Sequence, residues 1–360
     1  MVGRKLIRNA YESLLTMTAV LLCWGAALWL EGAAGLHTDV PVLAVALTLP
    51  LSSTQRTAPA RRRAAALVLL PATAAGAQFL GRLIMHDYAL GAAVFTLGIS
   101  LCVWIRRYGP AASRAGTLMT LPFVALLVVP GPALPTAAES GLVSWFWSAV
   151  IAVLACACVW LVQGLADRYG PWRPEPEPAA PRRASRLHPR PSTRMAVQLA
   201  AAVAAAFLCG RLLFDDHWPW AVLTVYVAAG GNRGRGDVLR KGVERFAGAT
   251  VGTLLATGVA AAGITGRASV AVMFAVLAVA LWLRPLTYAY WAAGMTTALS
   301  LLLGYFGQDA TDLLPTRLAA IALGAALSIA AAWWLLPVTG RADGRTVHRQ
   351  TATRQAEKAR

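Results

Sequence analysis

Apolar runs close to twenty residues long recur along almost the whole 360-residue chain, and nothing else restricts its fold as tightly. A helix advances about 1.5 Å per residue, so about 20 apolar residues carry it across the hydrocarbon layer of a bilayer. Runs of this kind fall at 12–30, 39–54, 64–84, 88–105, 114–130 and 142–165, then at 194–214, 218–231, 246–263, 268–283, 287–306 and 318–336. The second and eighth are short. Charged residues make up only 14% of the chain, where a soluble domain carries about 25%. Much of the surface must therefore face lipid. The pattern predicts an all-α integral membrane protein of about twelve transmembrane helices.

Basic residues set the orientation, because Lys and Arg concentrate in cytoplasmic loops. With the N-terminus inside, only Arg82, Arg211, Arg267 and Arg317 of the 33 basic residues fall outside. Both termini are then cytoplasmic. Few lysines beside abundant Ala, Gly and Arg suggest a high-GC bacterium, so the expected location is the bacterial plasma (inner) membrane, crossed many times. The start, with Arg4, Lys5 and Arg8 ahead of an apolar stretch, resembles a signal peptide. No small-residue cleavage site follows in 14–30, and it reads as the first span. The net charge of +17 lies in short clusters between spans, without zinc-finger spacing, a basic zipper or an aromatic RNA-binding signature; nucleic acid is not an expected partner.

The two halves resemble each other at a spacing of about 180 residues. His37-Thr-Asp-Val-Pro-Val-Leu-Ala-Val aligns with His217-Trp-Pro-Trp-Ala-Val-Leu-Thr-Val, Arg63 with Arg245, Trp104-Ile-Arg106 with Trp282-Leu-Arg284, and Gly116 with Gly294. Six spans is an even number, so both halves begin inside: two parallel six-helix repeats with a shared central interface. The chain divides into a first repeat (1–167), a Pro- and Arg-rich cytoplasmic linker (168–193), a second repeat (194–338) and a basic cytoplasmic tail (339–360). The basic loops and the tail make anionic lipid head groups an expected partner. A homo-oligomer stays open, since a fused pair already supplies a two-fold arrangement.

The second half holds the most specific stretches: Trp218-Pro-Trp-Ala-Val-Leu-Thr224, Lys241-Gly-Val-Glu-Arg245-Phe-Ala-Gly248-Ala-Thr250-Val-Gly252, and Arg317-Leu-Ala-Ala-Ile-Ala-Leu-Gly324. They resemble the fusaric acid resistance (FUSC), or aromatic acid exporter, family over roughly 215–337, and weakly over 10–165. In that family a Trp-led span precedes an Arg-x-x-Gly-Thr-x-x-Gly-like helix start, and a later Arg has a downstream Gly. Here Ala249 splits the Gly-Thr pair, Arg63-Ala-Ala-Ala replaces the motif in the first half, and the large cytoplasmic domain of many relatives is missing. The resemblance implies efflux of aromatic or other organic acids by a membrane permease. It also extends to plant malate channels, in which basic residues line an anion pathway.

The residues support an anion pathway at the interface of the repeats in part. Arg63 and Arg245 start equivalent spans, as Arg106 and Arg284 end equivalent ones, and helix N-termini nearby add partial positive charge. Plain positive-inside topology explains most single arginines equally well. Arg317 departs from it by sitting at the outer start of a span, where snorkelling towards Asp309 or Asp312 is the alternative. Gly248 and Gly252 form a small-xxx-small pattern that suits helix packing or a narrow pore flank. Thr224 and Thr250 complete the candidate pathway. Trp218, Trp220, Tyr288, Tyr290 and Trp291 read as an interfacial belt, with one or two available to stack on an aromatic substrate. Asp215, Asp216 and His217 form the one cluster suited to proton coupling, although an exposed outer loop explains them more simply.

Catalytic signatures are lacking. There is no phosphate-binding Gly-x-x-x-x-Gly-Lys, no nucleophile elbow and no His-Glu-x-x-His. No cofactor or metal is expected, and Cys23, Cys102, Cys156, Cys158 and Cys209 read as small core residues. The expectation is therefore a permease of organic anions and not an enzyme. The alternatives are a non-transporting envelope scaffold and, further off, a membrane enzyme built on Asp215, Asp216 and His217.

Overall fold

The computed structural model describes residues 2–35, 40–56, 58–128, 141–171, 191–230, 235–305 and 314–335. Most of the linker, all of the basic tail, His37, Asp39, Asp309 and Asp312 lie outside these residues.

Every predicted apolar run becomes a helix: α1 (Val2–Ala34), α2 (Val40–Gln55), α3 (Ala60–His86), α4 (Tyr88–Trp104), α5 (Pro110–Val128), α6 (Gly141–Tyr169), α7 (Pro191–Phe214), α8 (Trp218–Ala229), α9 (Arg235–Ala261), α10 (Gly266–Leu283), α11 (Tyr288–Tyr305) and α12 (Leu314–Trp334). Asp87 separates α3 from α4, and its carboxylate accepts the Leu90 N–H at 3.0 Å, capping α4 within a one-residue connection. Eight segments are long and apolar enough to cross a membrane, one of them (Ser192–Ala229) taking in both α7 and α8. The protein is thus a multi-pass, all-helical membrane protein. α2 is apolar but short. α9 carries Arg240, Lys241, Glu244 and Arg245 in its early turns, and α11 mixes aromatic and hydroxyl residues into its run.

In the first half α1 packs on α2 and α6, α2 on α5 and α6, and α3 on α4, α5 and α6. In the second, α7 packs on α8 and α12, α8 on α12, α9 on α11 and α12, and α10 on α11. The halves meet on two sides, α4 against α7 and α1 against α10, with α5 touching α8. Both seams are apolar. On one, the Phe95 and Phe207 rings meet edge to face at 5.3 Å, and the Tyr88 hydroxyl donates to the Phe207 carbonyl at 2.7 Å. On the other, Trp24 meets Phe274 at 5.2 Å beside Met17, Val20 and Leu277.

Prolines divide the halves. Pro50, Pro71 and Pro122 lie inside α2, α3 and α5, whereas α8 and α12 hold theirs in the first turn. An interior proline lacks the N–H that the carbonyl four residues earlier would receive, and it pushes that turn open.

Candidate functional site

The polar chemistry of the second half converges where α8, α9, α11 and α12 come together. Small residues create this seam. A methyl group on Gly248 would stand 2.5 Å from the Ala289 carbonyl, and one on Gly252 would strike the Ala293 carbonyl, so α9 lies against α11 backbone to backbone. Gly324 does the same for α12, where a Cβ would stand 2.5 Å from the Ala221 carbonyl of α8. Apolar burial alone contributes little between helices in lipid, and close small-residue contact takes its place.

Two arginines enter the seam. Arg245 of α9, only 7% exposed, donates from Nε to the Thr224 hydroxyl at 3.3 Å and from Nη1 to the Tyr288 hydroxyl at 3.4 Å. Arg317 of α12, 5% exposed, donates from Nη1 to the Ser300 hydroxyl at 2.6 Å, and its guanidinium carbon lies 5.4 Å from the centre of the Trp220 ring. Trp220 and Thr224 occupy successive turns of α8, and the Thr224 hydroxyl donates to the Trp220 carbonyl at 2.8 Å. The two guanidinium groups therefore address adjacent turns of one helix. Tyr288 and Ser300 stand about 18 Å apart along α11 at 1.5 Å per residue, so the pair reaches the seam from opposite ends.

Every partner of the two guanidinium groups is a neutral hydroxyl or ring, and among the described residues no carboxylate pairs with either. Glu244, next in sequence to Arg245, is engaged elsewhere: its Oε1 accepts from Arg240 Nε at 2.7 Å and its Oε2 accepts the Tyr288 N–H at 3.2 Å. A buried charge without an opposite charge costs free energy wherever water is excluded.

The remaining candidates separate from this seam. Thr250 is half-buried and donates to the Phe246 carbonyl of its own helix, off the face that carries Arg245, Gly248 and Gly252. The buried hydroxyl on that face is Thr253. Arg63 sits in the first half, 3.9 Å from Asp167, which also accepts from Arg56 at 2.9 Å. Arg106 lies near the Tyr226 hydroxyl where α5 meets α8, and Tyr226 in turn donates to Thr120 at 3.1 Å. Arg284 is exposed and stacks on Trp291 at 5.4 Å. Asp215 and Asp216 face water, with Arg211 at 3.0 Å and 2.8 Å, and His217 lies 4.8 Å from the Trp220 ring.

The route was expected between the halves; the two buried arginines lie within the second half, while the α4–α7 and α1–α10 contacts are made largely of rings and aliphatic side chains and the α5–α8 contact holds Tyr226, Thr120 and Arg106. The reading of Tyr288 as an interfacial belt residue overlooked its bond to Arg245, and Ser300 went unnoticed. The signal was present as a hydroxyl stripe on one face of α11, where Thr296, Thr297 and Ser300 are all buried at helical spacing.

No curated protein and no solved structure matches the chain. Residues 196–331 match the family model described as fusaric acid resistance protein-like. That segment runs from the first turns of α7 into the last turn of α12, and so contains all four helices of the seam and both of its arginines. Over this second half the chain is similar to the fusaric acid resistance protein-like family.

Proposed function

We propose that the protein is a permease for small organic anions and that its pathway follows the α8, α9, α11 and α12 seam. The observation that carries this reading is the pair of buried arginines whose partners among the described residues are all neutral. A chain that needed these guanidinium groups for packing alone would do better with a carboxylate beside them or an apolar residue in their place. A site that receives negative charge needs neither. Hydroxyls of Thr224, Tyr288 and Ser300 orient the guanidinium forks without neutralising them, and a carboxylate can accept from such a fork in bidentate fashion.

The same reading takes the halves as parallel repeats in the bacterial plasma membrane, with both termini cytoplasmic. The packing supports it. First, second and sixth helices associate in both halves, as do third with fifth and sixth. The fourth helix of one half lies on the first helix of the other, twice over, as a two-fold axis requires.

The test is flux. Purified protein in liposomes should pass organic carboxylates, and Arg245→Gln or Arg317→Gln should lower the initial rate about tenfold or more. Absence of flux across a broad panel of anions would overturn the permease reading and favour an envelope scaffold.

A further inference from the structure

We propose that the first half holds a binding site for a monovalent alkali cation, sodium or potassium, among side-chain oxygens of α1, α2 and α6. The site stands apart from the seam of the second half and does not depend on the permease reading.

Following the protons leads to it. Thr16 of α1 gives its one hydroxyl proton to the Glu12 carbonyl at 3.0 Å. The 3.1 Å contact between the Thr16 and Ser52 hydroxyls must then draw its proton from Ser52 of α2. Gln163 of α6 donates from Nε2 to the Ser52 carbonyl at 2.8 Å. Only the nitrogen end of an amide can meet a carbonyl, so the other end of that group is fixed as oxygen. This Oε1 is buried without a hydrogen-bond partner, and so is Oε1 of Gln55, which follows Ser52 by three residues on the buried side of α2. Residues three apart on a helix are neighbours. Gln55 and Gln163 are each 2% exposed and Ser52 is 4% exposed. The Ser52 hydroxyl and the two amide oxygens are thus left as acceptors with no donor among the described residues.

The backbone holds these oxygens in register. Ser52 with Gln163 and Arg56 with Asp167 form two rungs, four residues apart on both helices, so α2 and α6 run side by side in one direction. Buried amide oxygens left unanswered are costly, and a natural protein rarely keeps two. One water molecule brings two protons for the three acceptors, whereas a bare cation answers all of them at once. Neutral oxygens of this kind replace the hydration shell of a monovalent ion. Calcium and magnesium depend on carboxylates. Asp167, one turn beyond Gln163, is already shared by Arg56 and Arg63.

The experiment follows thermal unfolding of the purified full chain in detergent, at one ionic strength, as choline chloride is replaced by sodium or potassium chloride. One of the two should raise the unfolding temperature by several degrees and saturate, because an ion that binds the folded state alone stabilises it. Gln163→Leu and Gln55→Leu remove an oxygen at nearly constant volume; both should stay folded in choline and lose the response. Gln55→Glu, which puts a charged oxygen in place of a neutral one, should saturate at a lower concentration of the same cation. Equal unfolding temperatures of the wild type in all three salts would overturn the proposal and leave water on these oxygens. A response that survives in both leucine variants would place the cation elsewhere and overturn it too. Saturation by calcium at a lower concentration than by either alkali cation would overturn the monovalent assignment. If a leucine variant does not fold, Thr16→Val and the Gln55→Glu shift decide in its place, and an unchanged response in both would overturn the site.

Discussion

At the scale of single residues, Arg317 is where the proposed function and stability can be told apart. Its guanidinium is buried beside Ser300 and Trp220. Replacing a buried, unneutralised ion by an apolar side chain of similar length is neutral or stabilising. Arg317→Met is therefore expected to keep or raise the thermal unfolding temperature in detergent while abolishing anion flux; a drop of several degrees would mean that the charge serves the fold. Asp167 is the opposite case, a resident carboxylate between two arginines at a partly exposed corner. Asp167→Asn should cost about 0.5–1 kcal/mol, measured by thermal unfolding, in keeping with the small worth of solvent-screened pairs. Arg245 and Arg317 were legible in the sequence because charges at the margins of apolar runs stand out. Their partners were not, since Ser300 and Tyr288 are ordinary in composition and acquire meaning only from their position across the seam.

At the scale of helices, register decides. Arg245, Gly248, Gly252 and Ala256 share one face of α9, which is buried, and Thr250 falls off it. The motif spacing drew Thr250 in, and the 3.6-residue period takes it out. Thr250→Ala should leave both stability and flux unchanged within error. Gly252→Val, by contrast, drives a branched side chain against the Ala293 carbonyl and parts α9 from α11. Overpacking of this kind costs about 1–3 kcal/mol, to be read from the unfolding transition. Helix positions were legible throughout, because each apolar run is bounded by Pro, Gly or clustered charge. Span number was less so: eight segments have the length and hydropathy of a membrane span, and α9 and α11, which carry polar groups within their runs, are not among them.

At the scale of the whole molecule, the α4–α7 and α1–α10 contacts between halves are largely hydrophobic and aromatic. Phe207 is 2% exposed and lies against Phe95 and Tyr88 across the α4 and α7 contact and against Trp218 within its own half. Truncating a buried Phe costs about 3–5 kcal/mol, so Phe207→Ala should weaken the union of the halves and split unfolding into two steps by calorimetry. The sequence likeness of the halves gave no means of locating the route, because alignment pairs residues without saying which faces of two bundles touch.

Pro50, Pro71 and Pro122, all on one side of this union, have a consequence of their own. In a homodimer of identical six-helix chains, any residue that bends a helix is present twice, and so is any residue that binds cargo. Two different sequences on one polypeptide are released from that constraint. The first half holds interior prolines and the Asp167 ion-pair corner, while the second holds the seam with Arg245 and Arg317. On one polypeptide a change in either half alters a single place in the molecule.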